Sequence, residues 1–119
     1  MSNHFTPVEN AETLDQLLAR SEREPVVLFK HSTLCPISAA AYQEMKRLNG
    51  EVSLLVVQKA RAVSKEVEAR TGLRHESPQA IILRNGRAVW SASHWGVTAK
   101  AVEQALKEIR DERSNAQTA

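Results

Sequence analysis

The chain of 119 residues has the length of one domain and can bury one good core without staples. Its formal charge is +2, from 16 basic against 14 acidic side chains, and no Arg/Lys cluster with interleaved aromatics occurs, so nucleic acid is excluded as an expected partner. One cysteine excludes an intramolecular disulfide framework and argues against a zinc ribbon or a cluster held by a single chain.

No window is apolar enough for long enough to cross a bilayer, so no membrane partner is expected. The start, MSNHFTPVEN, lacks the charged-then-apolar order of a secretory signal. The expected compartment is therefore cytoplasmic, where thiols stay reduced.

Leu14, Leu17 and Leu18 follow Asn10 at helical spacing, with Asn10 as N-cap. Pro25 introduces VVLF, a buried strand rich in β-branched residues. Pro36 suits the first turn of a second helix, where its missing N–H costs nothing. Ile37, Ala41, Met45 and Leu48 give that helix one apolar face, and Asn49-Gly50 stops it. VSLLVV (52–57) reads as a second strand, followed by a helix that carries Val63 and Val67 and ends at Thr71-Gly72. After Pro78, AIIL is a third strand. Asn85-Gly86 marks a hairpin, because both turn positions need positive φ. AVWSA returns as the fourth strand, and Thr98 caps a last helix with Val102, Ala105, Leu106 and Ile109 inward.

This order makes the first two strands parallel through a right-handed crossover and the last two antiparallel. The expected fold is α/β and thioredoxin-like: a mixed four-stranded sheet flanked by helices, with an extra N-terminal helix. Residues 1–113 form the single domain, and 114–119 are expected to be a disordered tail.

Cys35 falls where the first strand hands over to its helix. Unpaired backbone N–H groups and the positive end of the helix dipole face that point and stabilise a thiolate relative to a thiol. No Asp or Glu occurs between Glu24 and Glu44. A lone cysteine is often only a small core residue; the Cys-Pro pair at a strand-to-helix junction favours a nucleophile instead. Ser38 stands three residues on, one helical turn away, where a two-cysteine redox motif carries its second sulfur. Its hydroxyl can donate to the thiolate, or it is an ordinary polar residue of a first turn. Either way an outside thiol must resolve the mixed disulfide.

Lys30, His31, Thr33 and Pro36 around the sulfur, with Ser77 and Pro78, form the expected substrate-contacting set, in which at most one of Lys30 and His31 can point toward the sulfur. HESPQ (75–79) precedes the third strand, where thioredoxin-like folds place a cis-proline beside the active cysteine; His75 and Glu76 either face substrate, the reading favoured, or are solvated loop residues. A His–Cys dyad is conceivable with His31, His75 or His94, and no spacing rule selects among them. The four histidines show no metal-ligand spacing, so no metal site is expected. The Pro-x-x-x-Thr-x-x-Cys pattern of a peroxidase is absent.

Taken together, FKHSTLCPIS, HESPQ and VWSASHWGVT resemble the monothiol bacilliredoxins, the YtxJ family of the bacillithiol system, from about Leu14 to Ile109. The resemblance implies a thiol-disulfide oxidoreductase with Cys35 as active cysteine, Ser38 in the resolving place and Pro78 as the cis-proline. It implies no bound cofactor, bacillithiol as a low-molecular-weight co-substrate, S-bacillithiolated proteins as targets and a reductase as a further partner. Leu34 stands where a polar or basic residue would not surprise. The alternatives are a binding module that presents HESPQ to a partner, or a cluster shared by two Cys35 in the manner of monothiol glutaredoxins, whose Cys-Gly-Phe-Ser motif is absent here. An inert relic of the fold, with an unreactive Cys35, is the third.

Overall fold

Six consecutive residues, Val26 to His31, are all buried, because this strand lies at the centre of a sheet covered on both faces. The computed structural model describes residues 4–118, with side chains described from 4 to 112. In chain order the elements are β1 (Phe5–Pro7), α1 (Ala11–Ser21), β2 (Val26–His31), α2 (Pro36–Lys46), β3 (Val52–Val56), α3 (Arg61–Thr71), β4 (Gln79–Arg84), β5 (Arg87–Ser93), a 3₁₀ turn at His94–Gly96 and α4 (Ala99–Thr118).

The sheet has five strands in the order β1-β3-β2-β4-β5, not the four expected. β1 and β2 both pair with β3 in parallel, β4 runs antiparallel to β2, and β5 antiparallel to β4. The unforeseen strand is a three-residue edge, too short for an alternating pattern, and it ends on Pro7, a residue that sheets accept at an edge. It also changes the meaning of α1. That helix is the crossover from β1 to β2, not an appendage.

Asn10 caps α1 as expected: its side chain accepts from the Thr13 N–H at 2.9 Å, and the Thr13 hydroxyl oxygen accepts from the Asn10 N–H at 3.1 Å. Gly72 ends α3 in the left-handed region, and the hairpin turn has positive φ at both Asn85 and Gly86. The Thr98 hydroxyl accepts from the Ala101 N–H at 3.1 Å, capping α4. α4 continues as helix to Thr118, through most of the stretch read as a tail; the side chains from 113 onward lie outside the described residues.

Alternation along β2 divides the core. Val27 and Phe29 face α2 and α4, packing with Ala41, Met45, Val102 and Ala105; Val26 and Leu28 face α1 and α3, packing with Leu14, Leu17, Val63 and Val67. One detail of α2 departs from its apolar pattern. The buried positions are Ser38, Ala41 and Met45, whereas Ile37 is only partly covered. No helix among the described residues is long and apolar enough to cross a membrane.

Candidate active site

Cys35 is the N-cap of α2, with extended backbone (φ −110°, ψ 122°), and Pro36 opens the helix behind it. No side chain caps this terminus and no acidic residue stands in its first turn. The first-turn N–H groups and the helix dipole are therefore left to act on whatever charge develops at the sulfur. The residue is half-buried, while Leu34 beside it is exposed. A thiol so placed is open to a reacting partner.

Ser38 lies one turn into the helix with no exposed surface. Its Oγ accepts the Ser32 N–H at 2.9 Å and lies 2.8 Å from His31 Nδ1. Burial pulls the His31 pKa below its ordinary value, with the Ser38 contact opposing, so the imidazole is neutral at pH 7. The consistent arrangement is Ser32 N–H donating to Ser38 Oγ, and Ser38 O–H donating to an unprotonated Nδ1. The hydroxyl is thus committed to the strand, not to the thiolate. Its contribution is to lock the chain between β2 and α2, which fixes where Cys35 stands.

His31 also packs its ring against Phe29 and Tyr42, with centroids 5.4 and 5.0 Å away. Of the three histidines weighed as partners of Cys35, His31 bonds Ser38, His75 Nδ1 lies 3.3 Å from Ser64 Oγ, and His94 Nε2 lies 3.3 Å from Glu76 Oε1. A His–Cys dyad is not formed. His75 itself is exposed, and Glu76 is turned to His94.

Lys30 and His31 occupy strand positions inside the sheet, not a loose strand end. Their side chains go to opposite faces, as alternation requires, and Lys30 lies on the α1/α3 side with no exposed surface. Burial draws its pKa down from 10.5 to about 8, against the pull of Glu68. Neither residue is at the surface around the sulfur. Thr33 and Pro36 are.

The Ser77–Pro78 bond is cis, and β4 starts immediately after it, with Gln79 paired to Lys30. The Pro78 carbonyl accepts the His94 N–H at 2.9 Å. Ser77 Oγ is buried without a hydrogen-bond partner.

Sequence reasoning did not foresee the supports of these loops. Gln58 donates through Nε2 to Ser32 Oγ at 2.9 Å and accepts the Thr33 N–H at 3.4 Å, tying the end of β3 to the cysteine loop. Gln79 accepts the Glu76 N–H through Oε1 and donates through Nε2 to the Arg74 carbonyl. His94 sits at φ 54° to reach Glu76, binding the turn after β5 to the proline loop. Among the described residues, no group of three or more His, Cys, Asp or Glu is placed to hold a metal ion.

Comparison with known proteins agrees with this geometry. The family model described as monothiol bacilliredoxin BrxC matches residues 6–102. A solved protein assigned as an oxidoreductase with a thioredoxin fold is 30% identical, with a TM-score of 0.79 over 86% of this chain and 93% of its own. Thioredoxin from Trypanosoma brucei brucei is 14% identical, with a TM-score of 0.71 over 92% of this chain and 96% of its own. The Schistosoma mansoni thioredoxin pre-protein is 16% identical, with a TM-score of 0.66 over 89% and 98%. At such identity the two thioredoxins speak for the fold alone.

Proposed function

This chain belongs to the monothiol bacilliredoxin family, and on that premise we propose that it removes bacillithiol from protein mixed disulfides through Cys35. The thiolate attacks the bacillithiol sulfur of the mixed disulfide. The S–S bond between bacillithiol and the target breaks, the target leaves as its thiolate, and Cys35 carries bacillithiol in a new mixed disulfide. A second low-molecular-weight thiol or a partner reductase then attacks that disulfide and returns Cys35 to its reduced form. The proposed chemistry needs no bound cofactor, and its proposed setting is the cytoplasm.

One observation carries this reading: the single sulfur stands on the N-cap of α2, and the position one turn on holds a buried serine in place of a second sulfur. An intramolecular disulfide is thereby excluded as the product. The oxidised state is an adduct.

The test is intact-mass analysis of a purified S-bacillithiolated target mixed with the reduced protein. The expected result is loss of the bacillithiol mass from the target and its gain on Cys35, with neither change in Cys35→Ser. A target that keeps its adduct, or a serine variant as active as wild type, overturns the proposal. Competition between S-bacillithiolated and S-glutathionylated forms of the same target reports the thiol preference, and faster release of bacillithiol is expected.

A further inference from the structure

Among the described residues, two other than glycine have positive φ, Asn85 and His94. Asn85 belongs to the hairpin turn, which requires that conformation. His94 stands at 54° in the turn after β5, where a Cβ crowds the backbone in a way that glycine would avoid. Histidine accepts the left-handed region better than most residues, yet something must offset the strain. Core packing does not: the imidazole is 48% exposed and joins neither apolar cluster.

The contacts of His94 indicate what does. Its main-chain N–H donates to the Pro78 carbonyl at 2.9 Å, and its Nε2 lies 3.3 Å from Glu76 Oε1. One residue therefore holds the chain on both sides of Ser77. From within, Gln79 holds the same loop, accepting the Glu76 N–H at 3.4 Å and donating to the Arg74 carbonyl at 3.2 Å. Ser77 itself is half-buried, and its main chain makes no hydrogen bond among the described residues.

Ser77 also stands close to the cysteine helix. Gln79 pairs with Lys30, so the same antiparallel register sets Pro78 opposite His31, the last residue of β2. His31 Nδ1 lies 2.8 Å from Ser38 Oγ in α2, and the His94 turn packs against that helix, which Cys35 caps. Because β2 ends at His31, no strand stands beside Ser77 on that side. Its N–H and C=O are left for a chain arriving from outside.

We propose, resting on the thiol-transfer reading, that His94 is a positioning residue for the protein target: by clasping Glu76 and Pro78 it holds the Ser77 main chain ready to pair with an extended segment of the target. It acts through Ser77, not on the sulfur.

The test follows single transfers to the reduced protein from two donors by intact mass. One donor is an unstructured peptide whose only cysteine is joined to bacillithiol. The other is bis(hydroxyethyl) disulfide, which has no main chain to pair. In the first, the Cys35 thiolate takes bacillithiol and expels the peptide thiolate; in the second, it joins one half and expels the other as thiolate. His94→Asn keeps a residue that accepts the left-handed backbone but loses the reach to Glu76. The half-saturating peptide concentration is expected to rise about threefold, the size of one exposed ionic contact. The limiting rate and the rate with the small disulfide are expected to stay at wild-type values. Glu76→Ala is expected to do the same, and the double variant no more than either alone, since both remove one contact. An unchanged half-saturating concentration, additive rises in the double variant, or an equal slowing with the small disulfide overturns the role of His94 and leaves thiol transfer standing. Failure of Cys35 to react with the peptide donor overturns both.

Discussion

Lys30 carries an amine that folding takes wholly out of water, and it holds its proton less tightly there than in the unfolded chain. Between about pH 8 and 10.5 the unfolded chain therefore binds the extra proton, and stability rises with pH across that window. Below it the full cost applies, roughly 3 kcal/mol for a displacement of this size. We expect Lys30→Met to unfold at higher denaturant than wild type at pH 7, with the difference shrinking as pH rises through the window. A difference that is flat with pH would mean that Lys30 keeps an ordinary proton affinity. Ser38 presents the opposite case, a buried polar group with every bond made. Ser38→Ala leaves the Ser32 N–H and His31 Nδ1 without their partner, and a loss of about 1–3 kcal/mol is expected in thermal or urea unfolding. His31 adds an acid limb. Its lowered pKa means that stability is present above pH 6.5 and is lost as pH falls below that value toward the folded-state pKa.

At the scale of elements, the helices stop and start where local chemistry says so, and the α4 cap is a direct test. Thr98→Ala is expected to cost about 1 kcal/mol by urea unfolding, with Thr98→Ser recovering most of it; no change would show that the Ala101 N–H finds water equally well. Elements of this kind were legible because their signals are local: an N-cap, a left-handed glycine, two positive-φ turn residues. β1 was not, since three residues carry no period, and what holds them is packing from elsewhere. Phe5 stacks on Tyr42 with centroids 4.9 Å apart, and the Val8 N–H reaches the Leu54 carbonyl at 2.9 Å. The inner face of α2 was misjudged by one position for a related reason. Isoleucine outranks serine by hydropathy, but the hydrogen bonds of Ser38 allow it to be the buried one. In the site, Cys35-Pro36 and Ser77-Pro78 were readable from position in the fold. Gln58, and the pairing of Glu76 with His94, were not, because no periodicity marks contacts between loops so far apart in sequence.

At the scale of the fold, one sheet separates two apolar clusters, and among the described residues its strands are the only elements that contribute to both. Val67 faces α1 and β2 on one side; Val102 faces α2 and β2 on the other. Val67→Ala and Val102→Ala should each destabilise by about 1–3 kcal/mol. Combined, their costs should add to within about 0.5 kcal/mol, as for sites without shared partners. A coupling above about 1 kcal/mol in the double-mutant cycle would show that the sheet transmits packing from face to face.

The serine that replaces a second sulfur has a consequence in time. A dithiol protein can eject its cargo from within, so the duration of its oxidised state is a property of its own fold. Here the chain holds a single cysteine, and under the proposed chemistry an adduct on Cys35 waits for a collision. Its lifetime is then written in the concentration of the free thiol or reductase around the molecule. At any moment, the fraction of copies that carry an adduct is a gauge of that supply, filling as the surrounding thiol is depleted and draining as it recovers.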